Sequence, residues 1–441
     1  MSEEWSFSTN QIHAGQDPDL ATGAISLPIY QTTAYQFRDA DHAAGLFALT
    51  EFGHSYTRIS NPTQDAVEKR LTVLEGGVGS LLFSSGMAAT AMALMNVAEQ
   101  GDHIVASRNI YGGIYNLLNY TLPKWGVETT FVEDAHDLDS WKAAARPNTK
   151  AFFGEGISNP LGVILDIEAI AKIAHDIGVP WIVDNTIATP YVTRPIDFGA
   201  DVITHSATKY LSGHGSALVG AIVDAGSFDF AKYPEKFPGF NLPDPSYNNI
   251  IYAHDFGQGS KFGNLAFITK CRVQLLRDFG PAVTPFNAWI LAQGLETLSM
   301  RMRSHLENAQ KVAEWLVSHP QVADVAYGGL PASKWHENQQ KYAPKGGGAV
   351  MSFEIVGGLE AGKKFVQGLK MFKHVANIGD VRSLVIHPAS TTHSQLGEEG
   401  LRDAGITPGM IRLSIGIEDF EDIKGDLELG FAASQLLFIN P

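Results

Sequence analysis

The chain has 441 residues, 44% of them apolar and 18% charged, enough for two or three domains with large buried cores. Thirty-two basic residues against 47 acidic ones leave a net charge of −15, which argues against nucleic acid or an anionic membrane as a partner. Cys271 is the sole cysteine, no apolar run approaches bilayer length, and the N-terminal MSEEWSFSTN lacks a leader pattern, so a reducing cytoplasm is the expected location.

Residues 1–62 read as an arm, rich in turn residues and without helical period. Near its end Tyr56 and Arg58 lie two apart on one side of an extended segment. That spacing suits a phosphate, or simply a packing tyrosine and an exposed arginine. From Thr63 the pattern is helical through DAVEKRLTVLEGG, with Asn61 or Thr63 as cap and Pro62 in the first turn. Ser84-Ser85-Gly86-Met87 then opens a helix of small residues. Its unpaired N–H groups and positive dipole end make Ser85, Gly86 and Met87 a candidate phosphate cradle. HIVAS, TTFVED and TKAFFGEGIS follow as strands, with Tyr111-Gly112-Gly113 after the first and Ser158-Asn159-Pro160 closing the third. EAIAKIAHDIG is an amphipathic helix leading into PWIVDN. Strands alternating with helices predict an α/β fold with a mostly parallel sheet covered on both faces. Neither a Rossmann G-x-G-x-x-G nor a Walker G-x-x-x-x-G-K-[ST] is present.

The most informative stretch runs from Val183 to Gly215. Trp181-Ile182-Val183 ends in Asp184, and Asp201-Val202-Ile203-Thr204 leads into Ser206-Ala207-Thr208-Lys209. Short apolar runs followed by polar residues are the mark of buried parallel strands, whose carboxyl ends form the ligand-binding rim. A desolvated lysine at that rim can lose its proton and form a Schiff base with an aldehyde. Pyridoxal phosphate is the aldehyde cofactor that also needs a carboxylate at its ring nitrogen and hydroxyl or N–H donors at its phosphate. Asp184 suits the ring, Ser206 and Thr208 the phosphate, and Lys209 the aldehyde.

Residues 63–285 are therefore expected to form the cofactor domain. Within it 226–262 is an aromatic-rich insertion of the kind that serves as a lid or an interface. Residues 286–441 should form a smaller α+β domain, entered by a long helix (GLETLSMRMRSHLENAQKVAEWLVSH) and carrying the strands GGGAVMSFEIVG, VRSLVIHP and MIRLSIGI. Arg412, inside the last of these, needs an anion: a structural carboxylate or that of an amino-acid substrate. Fifteen scattered histidines and one cysteine give no metal-site spacing, so no metal is expected.

YTRISNPT, FSSGMAA, VDNT, SATKY and IRLSIGIED together resemble the Cys/Met-metabolism family of pyridoxal-phosphate enzymes, of the aspartate-aminotransferase-like fold (fold type I). The resemblance covers nearly the whole chain. It implies that Lys209 binds the cofactor covalently, that Asp184 meets the pyridine nitrogen, and that Gly86, Met87, Ser206 and Thr208 hold the phosphate. It implies further that Tyr56 and Arg58 reach the phosphate of a neighbouring subunit, in a homotetramer built as a dimer of dimers. Tyr111 would stack on the ring and assist catalysis, Asn159 would lie near the phenolic oxygen, and Arg412 with Ser383 would bind the substrate carboxylate. IHAGQDPDLATGAISLPIYQTTAYQF and the insertion carrying NLPDPSY look like the branch that joins O-acetylhomoserine to sulfide or a thiol. O-succinylhomoserine sulfhydrylases, cystathionine γ-synthases and methionine γ-lyases are the alternatives. Gly113, where the γ-lyases carry cysteine, counts against the last.

Overall fold

The computed structural model describes residues 5–391 and 405–435. Seven strands form the first sheet: β1 (Gly79–Phe83), β2 (His103–Ser107), β3 (Glu128–Val132), β4 (Thr149–Glu155), β5 (Trp181–Asp184), β6 (Val202–Ser206) and β7 (Gly220–Asp224). Their order is β1-β7-β6-β5-β4-β2-β3. β3, β2, β4, β5 and β6 are parallel neighbours, while β7 runs antiparallel to both β6 and β1. Every residue of β2, β4, β5 and β7 is buried, which is why these segments read as unbroken apolar runs rather than alternating ones. The chain leaves β2 toward β3 on one side and resumes at β4 on the other. That reversal opens a crevice at the carboxyl ends of β2 and β4, where ligands bind in open α/β sheets.

Local signals set the helices that flank this sheet. Asn61 Oδ1 accepts the Thr63 N–H at 2.9 Å, Pro62 occupies the first turn of the helix Pro62–Glu75, and Gly76 ends it at φ 80°. The helix Gly86–Met95 is capped by Ser85 and stops earlier than its small-residue pattern suggests. Asp166 caps the amphipathic helix Ile167–Asp176. β1 escaped the sequence reading because only six residues separate the helix-ending glycines from the Ser84-Ser85-Gly86 turn.

A second sheet contains β8 (Val322–Ala326), β9 (Val350–Ile355), β10 (Lys373–His374), β11 (Leu384–Ile386) and β12 (Met410–Ser414), in the order β10-β11-β12-β9-β8. Three of these match the expected strands; β8 is half exposed and β10 has two residues, too little pattern to read. The helices Gly358–Gly368 and Phe420–Gln435 pack on this sheet through Phe353, Phe365 and Phe431. The last two residues of the expected C-terminal helix, 436–437, fall outside the described residues. The long helical pattern is two helices, Pro285–Glu296 and Leu298–Val317, broken at Thr297. The second of them joins the sheets. Arg301 donates to the Tyr210 and Leu211 carbonyls at 2.7 and 3.1 Å, and His305 Nδ1 lies 2.7 Å from the Ile415 carbonyl. The turn that carries Lys209 and the strand that carries Arg412 are thereby fixed to one rod.

Two features depart from expectation. The arm contains the short helices Phe7–His13 and Ala40–Phe47. The aromatic part of the insertion is a floor, not a lid. Phe230 stacks on Phe240 at 3.9 Å, Lys236 Nζ donates to the Ile177 carbonyl at 2.6 Å, and Lys150 Nζ donates to the Lys236 carbonyl. Lys150 opens β4 and Ile177 precedes β5, so this cluster seals the amino ends of the strands, opposite the rim. Cys271 is buried beside it, its thiol pushed up to about 12 by desolvation. Among the described residues no helix is long and apolar enough to cross a membrane.

Candidate active site

A cavity of about 200 Å³ opens at the carboxyl rim of the first sheet, facing β12. Ser85, Gly86, Met87, Tyr111, Asn159, Asp184, Ser206, Thr208, Lys209 and Arg412, each singled out from the sequence, line it together. Ile114, Ile157, Ile187 and Ile378 supply an apolar wall that strengthens electrostatic interactions inside.

Lys209 Nζ donates to Asn377 Oδ1. Burial lowers its ammonium below the usual lysine range, and the Arg412 guanidinium adds to the effect. Asp184, at the end of β5, accepts the Thr186 N–H at 2.9 Å and lies 3.4 Å from the Thr204 hydroxyl. Burial raises its carboxyl above the usual range, and the Thr186 bonds and the His205 imidazole draw it back. An acid in that state favours a cationic partner. The first-turn N–H groups at Gly86 and Met87 have no acceptor within their helix. That helix start is pressed onto β6: a Cβ at Gly86 would stand 2.5 Å from Ser206 Cβ. Only glycine allows the cradle and the Ser206 hydroxyl to share one corner. The Thr208 hydroxyl is engaged by Val219, 3.2 Å from its carbonyl and 3.0 Å from its N–H.

Arg412 is 9% exposed and makes no ion pair among the described residues; burial lowers it to about 10. Its Nη2 donates to the Asn377 carbonyl at 2.8 Å, and its Nε has no partner. Among the described residues no structural carboxylate answers it, and the guanidinium lines the cavity. Asn159 Oδ1, also buried, likewise lacks a partner among the described residues. Tyr111 caps the short helix Gly112–Asn116 and is half exposed. A Cβ at Gly113 would come within 2.5 Å of its ring, so a side chain there would displace the phenol.

Three expected site residues stand elsewhere. Tyr56 and Arg58 do not line this cavity: the Arg58 guanidinium lies 5.4 Å from the centre of the Tyr56 ring and donates to the Arg277 carbonyl. Ser383 does not line it either: its hydroxyl donates to Glu418 at 2.8 Å and accepts the Gly416 N–H at 2.9 Å. Asn377 lies between Lys209 and Arg412, its Oδ1 accepting from the one and its carbonyl from the other. No spacing signal pointed to it. Two more lining residues escaped the sequence reading. Thr186 Oγ1 accepts the Ser206 N–H at 2.8 Å, tying the Asp184 turn to β6. Glu155, in register with Asp184, accepts the N–H groups of Tyr111 at 2.5 Å and Asn159 at 3.2 Å. Burial and the neighbouring Asp184 hold its carboxyl well above the usual range. Its position at a strand end was the available signal.

The profile of the Cys/Met metabolism PLP-dependent enzyme family matches residues 8–432. This chain belongs to that family. Pyridoxal phosphate is its cofactor, and the cavity fits it: an amine, an acid, a glycine-dependent anion cradle and partnerless buried polar atoms all converge there. Among similar family members, an O-acetyl-L-homoserine sulfhydrylase of Leptospira meyeri is 49% identical over 431 residues, 97% of each chain. Another, from Corynebacterium glutamicum, is 48% identical over 98% of each. A solved structure of a putative O-acetylhomoserine (thiol)-lyase from Campylobacter jejuni, which contains a pyridoxyl-lysine monophosphate, superposes with a TM-score of 0.92. It is 41% identical, covering 97% of this chain and all of the other. The family member described here therefore has the fold type I architecture throughout.

Proposed function

We propose that the chain catalyses γ-replacement, converting O-acetylhomoserine and sulfide, or a thiol in its place, to homocysteine (or its thioether) and acetate. The observation that carries this reading is Arg412, a buried guanidinium with no carboxylate partner among the described residues, facing a desolvated Lys209 across Asn377. Two sulfhydrylases nearly half identical over almost the full chain support the choice of substrate.

When bound, pyridoxal phosphate supplies an electron sink that makes the substrate's Cα and Cβ protons acidic. Lys209 would anchor it, Asp184 would meet its ring nitrogen, Ser85, Gly86, Met87, Ser206 and Thr208 would hold its phosphate, Tyr111 would pack on its ring and Asn159 would lie near its phenolic oxygen. Arg412 grips the substrate carboxylate through paired N–H donors, its orientation set by the Asn377 carbonyl. Lys209 Nζ, whose charged form burial disfavours, takes the Cα proton and moves a proton at Cβ; Asn377 Oδ1 holds that amine in reach. Acetate leaves Cγ, sulfide adds there, and the Tyr111 phenol assists as acid or base near the leaving group. The isoleucine wall excludes water that would compete with sulfide.

The arm supports a shared site. Tyr56 and Arg58 stand outside the cavity of their own chain, and Leu20, Ile25 and Phe52 are exposed on the same arm. We assign them to the cofactor phosphate of a neighbouring copy, in a homotetramer of paired dimers. The division into arm (1–62), cofactor domain (63–285) and C-terminal domain (286–441) agrees with one sheet lying within 79–224 and the other within 322–414. A cytoplasmic location accords with one buried, unpaired cysteine.

The test is an absorption spectrum followed by O-acetylhomoserine with and without sulfide. A cofactor band lost in Lys209→Ala, together with sulfide-dependent homocysteine release, is the expected result. Faster turnover of the succinyl ester, a preference for cysteine as nucleophile, or ketobutyrate formed equally without sulfide would replace it with one of the three alternative activities.

A further inference from the structure

A second polar cluster lies behind the acid; among the described residues Glu75 Oε2, Asn185 Oδ1 and His205 Nδ1 have no partner. Glu75 ends the helix Pro62–Glu75, and His205 lies on β6; both side chains are fully buried, with Oε1 and Nε2 2.6 Å apart. The same Oε1 accepts from Asn185 Nδ2 at 3.0 Å, and that amide also donates to the Thr193 carbonyl at 2.9 Å. His205 and Asn185 are the chain neighbours of Ser206 and Asp184. Side chains alternate between faces along a strand, so Thr204, in register with Asp184, points to the acid while His205 points to the rear. One helix-terminal carboxylate therefore grips, from behind, both strands whose front carries the cavity.

A carboxylate buried this completely needs a cation, and the imidazole is the titratable donor bonded to it. The other ionisable groups facing the cluster are few. Asp184 and Glu155 lie on the front of β5 and β4. The Arg194 guanidinium lies close to Gly76 but pairs with Asp197 at 2.9 Å. Glu155 makes ionisation of Asp184 harder, and a charged His205 makes it easier.

We propose that Glu75 is a positioning residue for the cofactor's ring nitrogen: it holds His205 as an imidazolium behind Asp184 and locks Asn185, so that Asp184 is presented ionised. This rests on the cavity being the pyridoxal phosphate site. A ring nitrogen less firmly protonated withdraws less electron density from the bond to Lys209 Nζ, which then keeps its proton to higher pH.

The experiment uses reconstituted holoenzyme and Glu75→Gln, which keeps the side-chain shape and removes the charge. The readouts are cofactor affinity and the pH titration of the bound cofactor's absorption band. The variant should raise the titration midpoint by about half a pH unit, about threefold in the proton equilibrium, and weaken cofactor binding. Should the variant fail to fold, nitrogen NMR of the unaltered holoenzyme with labelled histidine decides: His205 must show both ring nitrogens protonated near neutral pH. A neutral His205, or a variant that melts earlier with an unmoved midpoint, overturns the proposal. An unaltered protein with no cofactor band overturns the site reading itself and takes this proposal with it.

Discussion

At Arg412 a planar guanidinium is held by one backbone carbonyl and left with free donors, a geometry that a lysine cannot copy. Arg412→Lys should raise the KM for O-acetylhomoserine by about 10–100-fold, about 1.4–2.8 kcal/mol, and leave the cofactor band in place; steady-state kinetics beside the spectrum check this. Asn377 and Ser383 should separate cleanly. Asn377→Ala removes the acceptor at Lys209 Nζ and should depress kcat. Ser383→Ala breaks bonds to Glu418 and Gly416 and should lower the melting temperature with little effect on KM. The first of this pair was illegible in the sequence because an asparagine in ANIGD carries no spacing that marks it. The second could not be placed from the sequence, because a serine next to an apolar strand looks the same whichever face its hydroxyl takes.

At the scale of elements, the contact between the helix Gly86–Met95 and β6 decides whether the phosphate corner exists. Gly86→Ala places a Cβ 2.5–2.6 Å from the Ser206 side chain and backbone, too close for either to stay. The expected result is a loss of about 1–3 kcal/mol of stability and markedly weaker cofactor binding, read from denaturant midpoints and from cofactor titration. Gly113→Ala should act on Tyr111 instead, shifting its ring and altering the circular dichroism of the bound cofactor. Apart from β1, strand and helix identities in the cofactor region were readable because apolar runs and strong caps agree there. β8, β10 and the break at Thr297 were not, since half-exposed or two-residue elements leave no period to count.

For the whole molecule, two buried histidines tie stability to pH. His103 lies between the Thr149 and Thr130 hydroxyls, and His305 lies against the Ile415 carbonyl; desolvation lowers each to about 4. Their folded values are below the unfolded one, so the native state binds fewer protons. Stability should be complete above about 6.5 and fall as pH drops toward about 4, by up to about 3 kcal/mol for each histidine. Urea midpoints at pH 4.5 and 7 measure the slope, and His305→Gln should flatten it. A shared site makes a separate prediction. Mixing inactive Lys209→Ala with inactive Arg58→Ala should restore partial activity, because hybrid dimers contain one site with neither substitution; no recovery after subunit exchange would assign Arg58 to its own chain.

By itself the sequence determined which residues stand at the rim: Lys209, Asp184 and the Ser85–Met87 turn follow strand ends or open a helix, and those local signals do not depend on distant contacts. It also determined the alternation that yields a mostly parallel sheet. Only the tertiary structure decided which remote residues complete the cavity. Asn377 and Arg412 reach Lys209 because the helix Leu298–Val317 holds both sheets, and Glu155 meets Asp184 through strand register. The same packing turned Ser383 away and sent the aromatic insertion to the floor. Such placements depend on which face of an element is buried against which neighbour, a long-range property that local spacing does not encode.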